Sequence, residues 1–294
     1  MPVDIAADVI GNVRLSEDYN VLTLAAPAIG EKTQPGQFVM VKAEMPCESL
    51  LRRPFSVFEV IREGGTATAI SILNKRAGSN TRALYALETG DRVACLGPLG
   101  NAFVPQPPRE AWMVAGGVGL APFATLAESL AALGTPATLF YGARSARELF
   151  YLEFFEQLGV TLVLSTEDGS RGVPGRVTVP LEQALARQSA DTVTIFACGP
   201  EPMLEAVSKL AVRYAQPSQV SVERVMGCGL GGCYSCVIPV YDTIAGPTSQ
   251  AAGLKARATY GPVTDGEGSG PSHFVRSCIA GPVFAGAEIA WDRC

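Results

Sequence analysis

From Val3 to Phe103, apolar residues alternate with polar ones in short runs split by turn residues. Val21-Leu-Thr-Leu, Gln37-Phe-Val-Met-Val, Phe55-Ser-Val-Phe-Glu-Val, Thr68-Ala-Ile-Ser-Ile-Leu and Arg92-Val-Ala-Cys-Leu each read as a strand, because a period of two turns every second side chain toward one face. Many short strands with Gly and Pro between them predict an antiparallel β-barrel over residues 1–104. Pro105-Gln-Pro-Pro-Arg follows as a stiff linker.

Past the linker the period changes. Trp112-Met-Val-Ala, Thr138-Leu-Phe-Tyr, Thr161-Leu-Val-Leu-Ser and Thr192-Val-Thr-Ile-Phe are strands. They alternate with helical patterns over Phe123 to Leu133, Glu148 to Leu158 and Glu201 to Tyr214. That rhythm predicts a parallel sheet with helices on both faces over residues 110–218. A small glycine-rich module, residues 219–294, completes a multidomain β + α/β chain. It includes a long connection around Gly266-Glu-Gly-Ser-Gly-Pro, expected to be a partly mobile loop. The most apolar stretch, Ala111 to Ala127, contains Gly116, Gly117, Gly119 and Pro122. It therefore reads as a buried strand, a tight turn and a helix start, and no membrane association is expected.

Composition narrows the function classes. A length of 294 residues is ample for more than one core. Hydrophobic residues make up 48% and charged ones 17%, leaving a surface with room for subunit interfaces. A net charge of −5 argues against a general nucleic-acid binder. Met1-Pro-Val-Asp opens straight into a strand pattern without a signal peptide, so a cytoplasmic protein with reduced or metal-bound thiols is expected.

The sharpest chemistry lies near the end of the chain. Cys228, Cys233 and Cys236 spell Cys-x4-Cys-x2-Cys, the plant-type spacing of thiolates that hold a 2Fe–2S cluster. Gly229, Gly231 and Gly232 suit a loop that hugs a cluster, where positive φ and the lack of a Cβ are needed. Amides in such a loop can also point at the sulfurs. Three blander readings compete: inert thiols, disulfides, or a zinc site made by these cysteines with His273, the chain's only histidine. Zinc sites usually use two short cysteine pairs, so the spacing favours iron–sulfur. The fourth thiolate must come from Cys47, Cys95, Cys198, Cys278 or Cys294. Cys278 is the choice, because a strand-like segment there meets a Gly-Pro turn. Cys294 is the last residue, expected to fray, and Cys47 and Cys95 lie far upstream.

Two turns in the second domain sit where open parallel sheets bind ligands. Ala115-Gly-Gly-Val-Gly-Leu-Ala-Pro joins a strand to a helix. Its Gly116, Gly117 and Gly119 would let backbone approach a pyrophosphate, although a turn built only for packing would look similar. Cys198, Gly199 and Pro200 form a second such turn, where the thiol either touches a nicotinamide or packs as a small hydrophobe. In the barrel, Arg52-Arg-Pro-Phe-Ser offers a guanidinium for a diphosphate. Gly78-Ser-Asn-Thr opens a helix whose N-terminus favours phosphate. Arg144 and Arg147 follow the second strand and leave NAD versus NADP open.

In their order, Arg53-Pro-Phe-Ser, Leu96-Gly-Pro-Leu-Gly-Asn-Ala-Phe, Gly116-Gly-Val-Gly-Leu-Ala-Pro, Cys198-Gly-Pro, Glu223-Arg-Val-Met-Gly-Cys and Cys278-Ile-Ala-Gly-Pro-Val-Phe resemble the electron-transfer subunits of type B dihydroorotate dehydrogenases. These belong to the wider ferredoxin-reductase-like group. The resemblance implies an FAD held by Arg53, Pro54, Phe55, Ser56, Leu73, Asn74, Lys75, Asn80 and Thr81. It implies a 2Fe–2S cluster on Cys228, Cys233, Cys236 and Cys278, and NAD as electron acceptor. The implied partner is an FMN-containing catalytic subunit that oxidises dihydroorotate to orotate in pyrimidine biosynthesis, two copies of each chain forming a heterotetramer. Two departures stand out: Asn80 replaces a common Gly, and the connection before Cys278 is unusually long. The nearest rival is the diaphorase-like subunit of a sulfhydrogenase or an NADH-dependent ferredoxin:NADP oxidoreductase. A zinc-stabilised, non-redox binding protein is the rival from another class.

Overall fold

The computed structural model describes residues 1–44, 50–241 and 272–294. Cys47 and the expected mobile loop around residues 266–271 lie outside the described residues. The first domain is a seven-stranded antiparallel sheet of β1 (Val3–Arg14), β2 (Tyr19–Leu24), β3 (Phe38–Ala43), β4 (Arg53–Ser56), β5 (Glu59–Glu63), β6 (Thr66–Lys75) and β7 (Arg92–Leu99). The short α1 (Pro27–Gly30) and α2 (Ser79–Ala86) cover it. Strand order is β4-β3-β7-β1-β2-β6-β5. The two edge strands are therefore consecutive in the chain, and Val57-Phe58 joins them, curling the sheet toward a barrel.

That junction corrects the expectation of one strand starting at Phe55. The chain leaves β3 after the Val57 amide donates to the Gln37 carbonyl, and enters the other half when the Phe58 amide donates to Ser71. A single strand would have to pair with both edges at once, so it breaks between them.

The second domain follows a parallel plan: β8 (Glu110–Gly116), α3 (Ala121–Ala132), β9 (Ala137–Ala143), α4 (Leu152–Gln157), β10 (Thr161–Thr166), β11 (Val173–Pro174), α5 (Thr178–Leu185), β12 (Val193–Cys198), α6 (Glu201–Arg213) and β13 (Ser218–Ser221). Helix α5 was not foreseen. The helix expected over Glu148 to Leu158 starts only at Leu152, because Tyr151 adopts a left-handed conformation with φ 58°. The segment ahead of α4 is used for packing instead. Phe150 lies 5.1 Å from Tyr19, and Tyr151 meets Phe58 edge-on at 4.6 Å. Phe103, the last barrel residue, stacks on Phe123 and meets Phe196. These contacts belong to one buried cluster that draws Val21, Phe58 and Leu73 from the barrel and Met113, Leu120 and Tyr141 from the sheet domain. Such aromatic pairs add about 0.5–1.5 kcal/mol each beyond area burial, so the two domains share a core. The linker between them is pinned as well: the Gln219 amide exchanges two hydrogen bonds with the Val104 backbone.

The C-terminal segments are β14 (Val237–Tyr241), β15 (Ser272–Arg276), α7 (Ser277–Ala280) and β16 (Val283–Ala285). Strands β14 and β15 form an antiparallel pair. Strand β16 then returns to the second domain and pairs antiparallel with β13 at the sheet edge. The expected boundary at residue 219 thus falls within β13.

The Leu96-Gly-Pro-Leu-Gly-Asn motif meets this module directly. The Asn101 amide donates to the Gly281 carbonyl and its side chain to Ala280, both at 2.6 Å. Gly100 has φ +78°, and a Cβ there would sit 2.3 Å from Pro282 Cδ. Gly100→Ala should cost about 2–4 kcal/mol through overpacking and left-handed strain. The expected result is a Tm several degrees lower by calorimetry; an unchanged Tm would mean the two turns do not press together.

Candidate functional site

The C-terminal ends of the central strands define the nucleotide site. In the order β11-β10-β9-β8-β12-β13-β16, the chain runs outward from β8 in one direction and then resumes beside it at β12. Ligands of open α/β sheets bind at such a reversal, and both glycine turns lie there. They interlock backbone to backbone. A Cβ on Gly119 would lie 2.1 Å from the Cys198 carbonyl oxygen, and one on Gly116 would lie 2.8 Å from Met203 Sδ. Gly199 is equally closed in by Met203 and Gly116. Gly116 and Gly119 therefore carry the packing role. Gly117 differs: φ is +54°, and nothing lies within 4 Å of its would-be Cβ. It is the glycine with open space for a dinucleotide.

Cys198 ends β12 opposite Ser221. Burial, followed by the charge of Glu223, pushes its thiol up to about 12, with Ser221 hydrogen bonding in opposition. That shift favours the neutral thiol at the C-terminal end of β12.

The barrel separates its twin arginines. Arg52 is bound to Asp4 at 2.6 Å. Among the described residues Arg53 donates to the backbone carbonyls of Leu51 and Arg52, each at 3.2 Å. Among the described residues neither Arg53 nor Lys75 has a carboxylate partner; the Lys75 ammonium lies 5.1 Å over the Tyr19 ring. Near these two cations α2 begins at Gly78, which has no side chain to cap the first amides. A buried relay holds that helix: Asn20 donates to Asn12, and Asn74 donates to Asn20 and to the Thr81 carbonyl. The Asn74 Oδ1 atom is buried with no hydrogen-bond partner among the described residues. Two uncompensated cations, an uncapped helix start and an orphaned acceptor fit a dinucleotide with a diphosphate. The Asn80 side chain turns inward and donates to the Val41 carbonyl. The Thr81 hydroxyl accepts the amides of Ala77 and Gly78. Both shape the turn, leaving the first-turn backbone amides to meet a phosphate.

The cysteine site is built from two stretches of chain. Gly229 and Gly231 have positive φ as expected; Gly232 does not, and Tyr234, at φ 59°, takes the third left-handed position. The amides of Leu230 and Gly232 both donate to Cys228 Sγ at 3.3 Å. Cys233 lies 3.2 Å from Ser235 Oγ. Hydrogen bonding from Ser235, then from Cys228, pulls the Cys233 thiol down to about 6. Interaction with Cys278 brings the Cys236 thiol down to about 6, and the same interaction raises Cys278 itself. The thiols thus influence one another in two pairs, Cys228 with Cys233 and Cys236 with Cys278. Two pairs of thiols suit a two-iron centre. Among the described residues no three His, Cys, Asp or Glu side chains are gathered closely enough to hold a metal ion as they stand. His273 pairs with Val240, well up the hairpin from Cys236. The donor set therefore fits the cluster better than zinc.

The barrel supports this site from below. Phe38, Met40, Leu96, Leu99, Met226, Cys236 and Cys278 form one buried cluster. A Cβ on Gly229 would lie 2.7 Å from Met40, and Met40 is the cross-strand neighbour of Pro54. The cysteine loop therefore rests one strand away from Arg53-Pro-Phe-Ser. Sequence reasoning missed this support, since it depends on contacts between segments far apart in the chain.

Comparisons with known proteins agree with these two lobes. Residues 6–103 match the oxidoreductase FAD-binding domain family, and residues 113–209 the oxidoreductase NAD-binding domain family. The structure of an NADH-dependent reduced ferredoxin-NADP oxidoreductase superposes with a TM-score of 0.78 at 24% identity, covering 98% of this chain and 91% of that one. A ferredoxin reductase of carbazole 1,9a-dioxygenase gives 0.65 at 22% identity, over 74% and 67%. The chain is an oxidoreductase of the ferredoxin-reductase-like fold with FAD- and NAD-binding domains.

Relatives give the particular family. The dihydroorotate dehydrogenase B (NAD(+)) electron transfer subunit of Geobacillus kaustophilus (strain HTA426) is 36% identical over 280 residues, 94% of each chain. That of Desulforamulus reducens is 32% identical over 268 residues, 91% of this chain and 90% of its own. The chain belongs to the family of dihydroorotate dehydrogenase B electron transfer subunits. No helix among the described residues is long and apolar enough to cross a membrane.

The glycine turns can be tested apart. Gly119→Ala should fail to fold or lose several kcal/mol, because a Cβ would strike backbone. Gly117→Ala should cost only about 1 kcal/mol for its positive φ. Thermal melting of both variants checks this, and equal losses would contradict the division of roles.

Proposed function

We propose that this chain carries electrons from a catalytic subunit oxidising dihydroorotate to orotate on FMN, through a 2Fe–2S centre and FAD, to NAD+. The division of labour follows the three segments: residues 1–104 hold FAD, 110–218 hold NAD(H), and 219–294 hold the cluster. The observation that carries this reading is that the cysteine loop rests on Met40 of β3, in one buried cluster with Cys236 and Cys278, one strand away from the Arg53-Pro-Phe-Ser motif. A cluster carries single electrons and nicotinamide takes a hydride, and FAD supplies the exchange between the two.

The protein's own residues position and shield. Arg53 and Lys75 offset the charge of the diphosphate, together with the first amides of α2. Pro54, Phe55 and Ser56 line β4 beside it, with Leu73 and Asn74 on β6. Gly117 admits the dinucleotide backbone, Gly116, Gly119, Gly199 and Pro200 fix the turn around it, and Cys198 presents an uncharged surface to the nicotinamide. Cys228, Cys233, Cys236 and Cys278 are the cluster ligands. An apolar rim surrounds the exposed Cys233: Leu51, Leu230, Tyr234 and Ile279 are 44–55% exposed. Large apolar side chains clustered at one edge mark a docking face, and we assign this one to the catalytic subunit in a cytoplasmic heterotetramer.

Cys278→Ser tests the reading. It should abolish the 2Fe–2S absorption and EPR signal and stop electron flow from the partner, while NADH-to-dye activity through FAD survives. An unchanged cluster signal, with loss instead in Cys294→Ser, would show that the fourth ligand is the terminal cysteine. Arg53→Ala is the complementary variant: flavin content should fall at least tenfold with iron and sulfide retained, and full flavin retention would remove Arg53 from the FAD site.

A further inference from the structure

Strand β15 ends on Arg276, two positions ahead of Cys278 and paired across the hairpin with Val237, the residue after Cys236. The guanidinium therefore enters where the two thiol-bearing segments meet. Its Nη1 donates to the Gly231 carbonyl at 2.5 Å. Its central carbon lies 5.0 Å from the centroid of the Tyr234 ring. Both partners belong to the loop between Cys228 and Cys236, so one side chain on the Cys278 segment grips two points of the other segment.

The charge is the unusual part. Arg276 is half-buried, and its Nε is buried with no hydrogen-bond partner among the described residues. None of the ion pairs among the described residues includes it. A partly buried cation without an anion is costly, and a chain that keeps one there implies a negative partner. The segments it joins carry the cysteines: Cys278 lies two positions on, and Gly231 sits in the loop between Cys228 and Cys233, whose thiols must be deprotonated to bind iron.

We propose that Arg276 is the fixed counter-charge of the cysteine site and sets the reduction potential of the centre bound there. The proposal rests on the iron–sulfur reading above. A cation held beside the thiolates favours whichever redox state carries the greater negative charge, and so raises the potential. Partial burial keeps salt from screening that effect away. The cation–π contact with Tyr234 and the bond to Gly231 keep the charge in place.

The test compares three variants of the full chain by iron and sulfide content and by an EPR-monitored redox titration. Arg276→Gln removes the charge but can still donate to the Gly231 carbonyl. Arg276→Lys keeps the charge without the planar fork, and Tyr234→Leu keeps the charge without the ring. The expected result is full iron content in all three, a more negative midpoint potential for Arg276→Gln alone, and near-parental potentials for the other two. A fully loaded Arg276→Gln variant at the parental potential would overturn the proposal. Loss of iron from both Arg276 variants would also overturn it, by reducing Arg276 to a loop clamp. Absence of iron and sulfide from the parent chain would instead overturn the iron–sulfur reading, and this proposal with it.

Discussion

The architecture depends on the seam where a barrel turn presses against the Gly281-Pro282 turn. Four thiols drawn from two distant stretches of chain cannot hold one another in place before anything binds them, so their supports must be rigid. Gly100 and Gly229 supply that rigidity by having no side chain: each lets a neighbouring element approach closer than any Cβ allows. Asn101 then ties Ala280 and Gly281 to the barrel by two short hydrogen bonds. The buried cluster of Met40, Leu99, Met226, Cys236 and Cys278 fills the space behind them. The thiols are consequently positioned by the barrel as much as by their own loop.

The second domain uses the same device for a different end. Gly116, Gly119 and Gly199 are consumed in locking two turns together, which leaves Gly117 alone with unobstructed space. A glycine-rich motif is thus not uniform: most of its members lock the turns together, and one is left facing open space. The neutral Cys198 thiol at the same point adds no charge to a crevice meant for an anionic dinucleotide.

Much of this was legible in the sequence. The period-two and helical patterns located β2, β3, β6 and β7 of the barrel and β8, β9, β10 and β12 of the second domain, because each is buried against a core that imposes its period, while the short β11 and β13 carry too little pattern to be read. The Gly-Pro after Cys278 marked a segment that the fold sets beside Cys236 in one buried cluster. What was not legible depends on contacts between distant segments. Nothing local at Glu148 to Tyr151 says that helix formation yields to aromatic packing on Tyr19 and Phe58. Nor does the sequence tell Arg52 from Arg53; only Asp4, across the sheet, makes the first an ion-pair partner and leaves the second available. The inward turn of Asn80 toward Val41 is hidden for the same reason.

The hairpin of β14 and β15 has a bearing on how such a chain can change over generations. Its register sets Tyr241 opposite Ser272 at one end and Val237 opposite Arg276 at the other. The Ser277 amide, bonded to the Cys236 carbonyl at 2.9 Å, continues that register up to the cysteines. The positions of Cys236 and Cys278 are therefore fixed by strand pairing, whatever length of chain runs between Tyr241 and Ser272. Closing a longer flexible connection costs only about 0.6 kcal/mol for each doubling. Insertions can accumulate beyond the open end of the hairpin, and new surface can be acquired there, without disturbing the end that carries the cysteines.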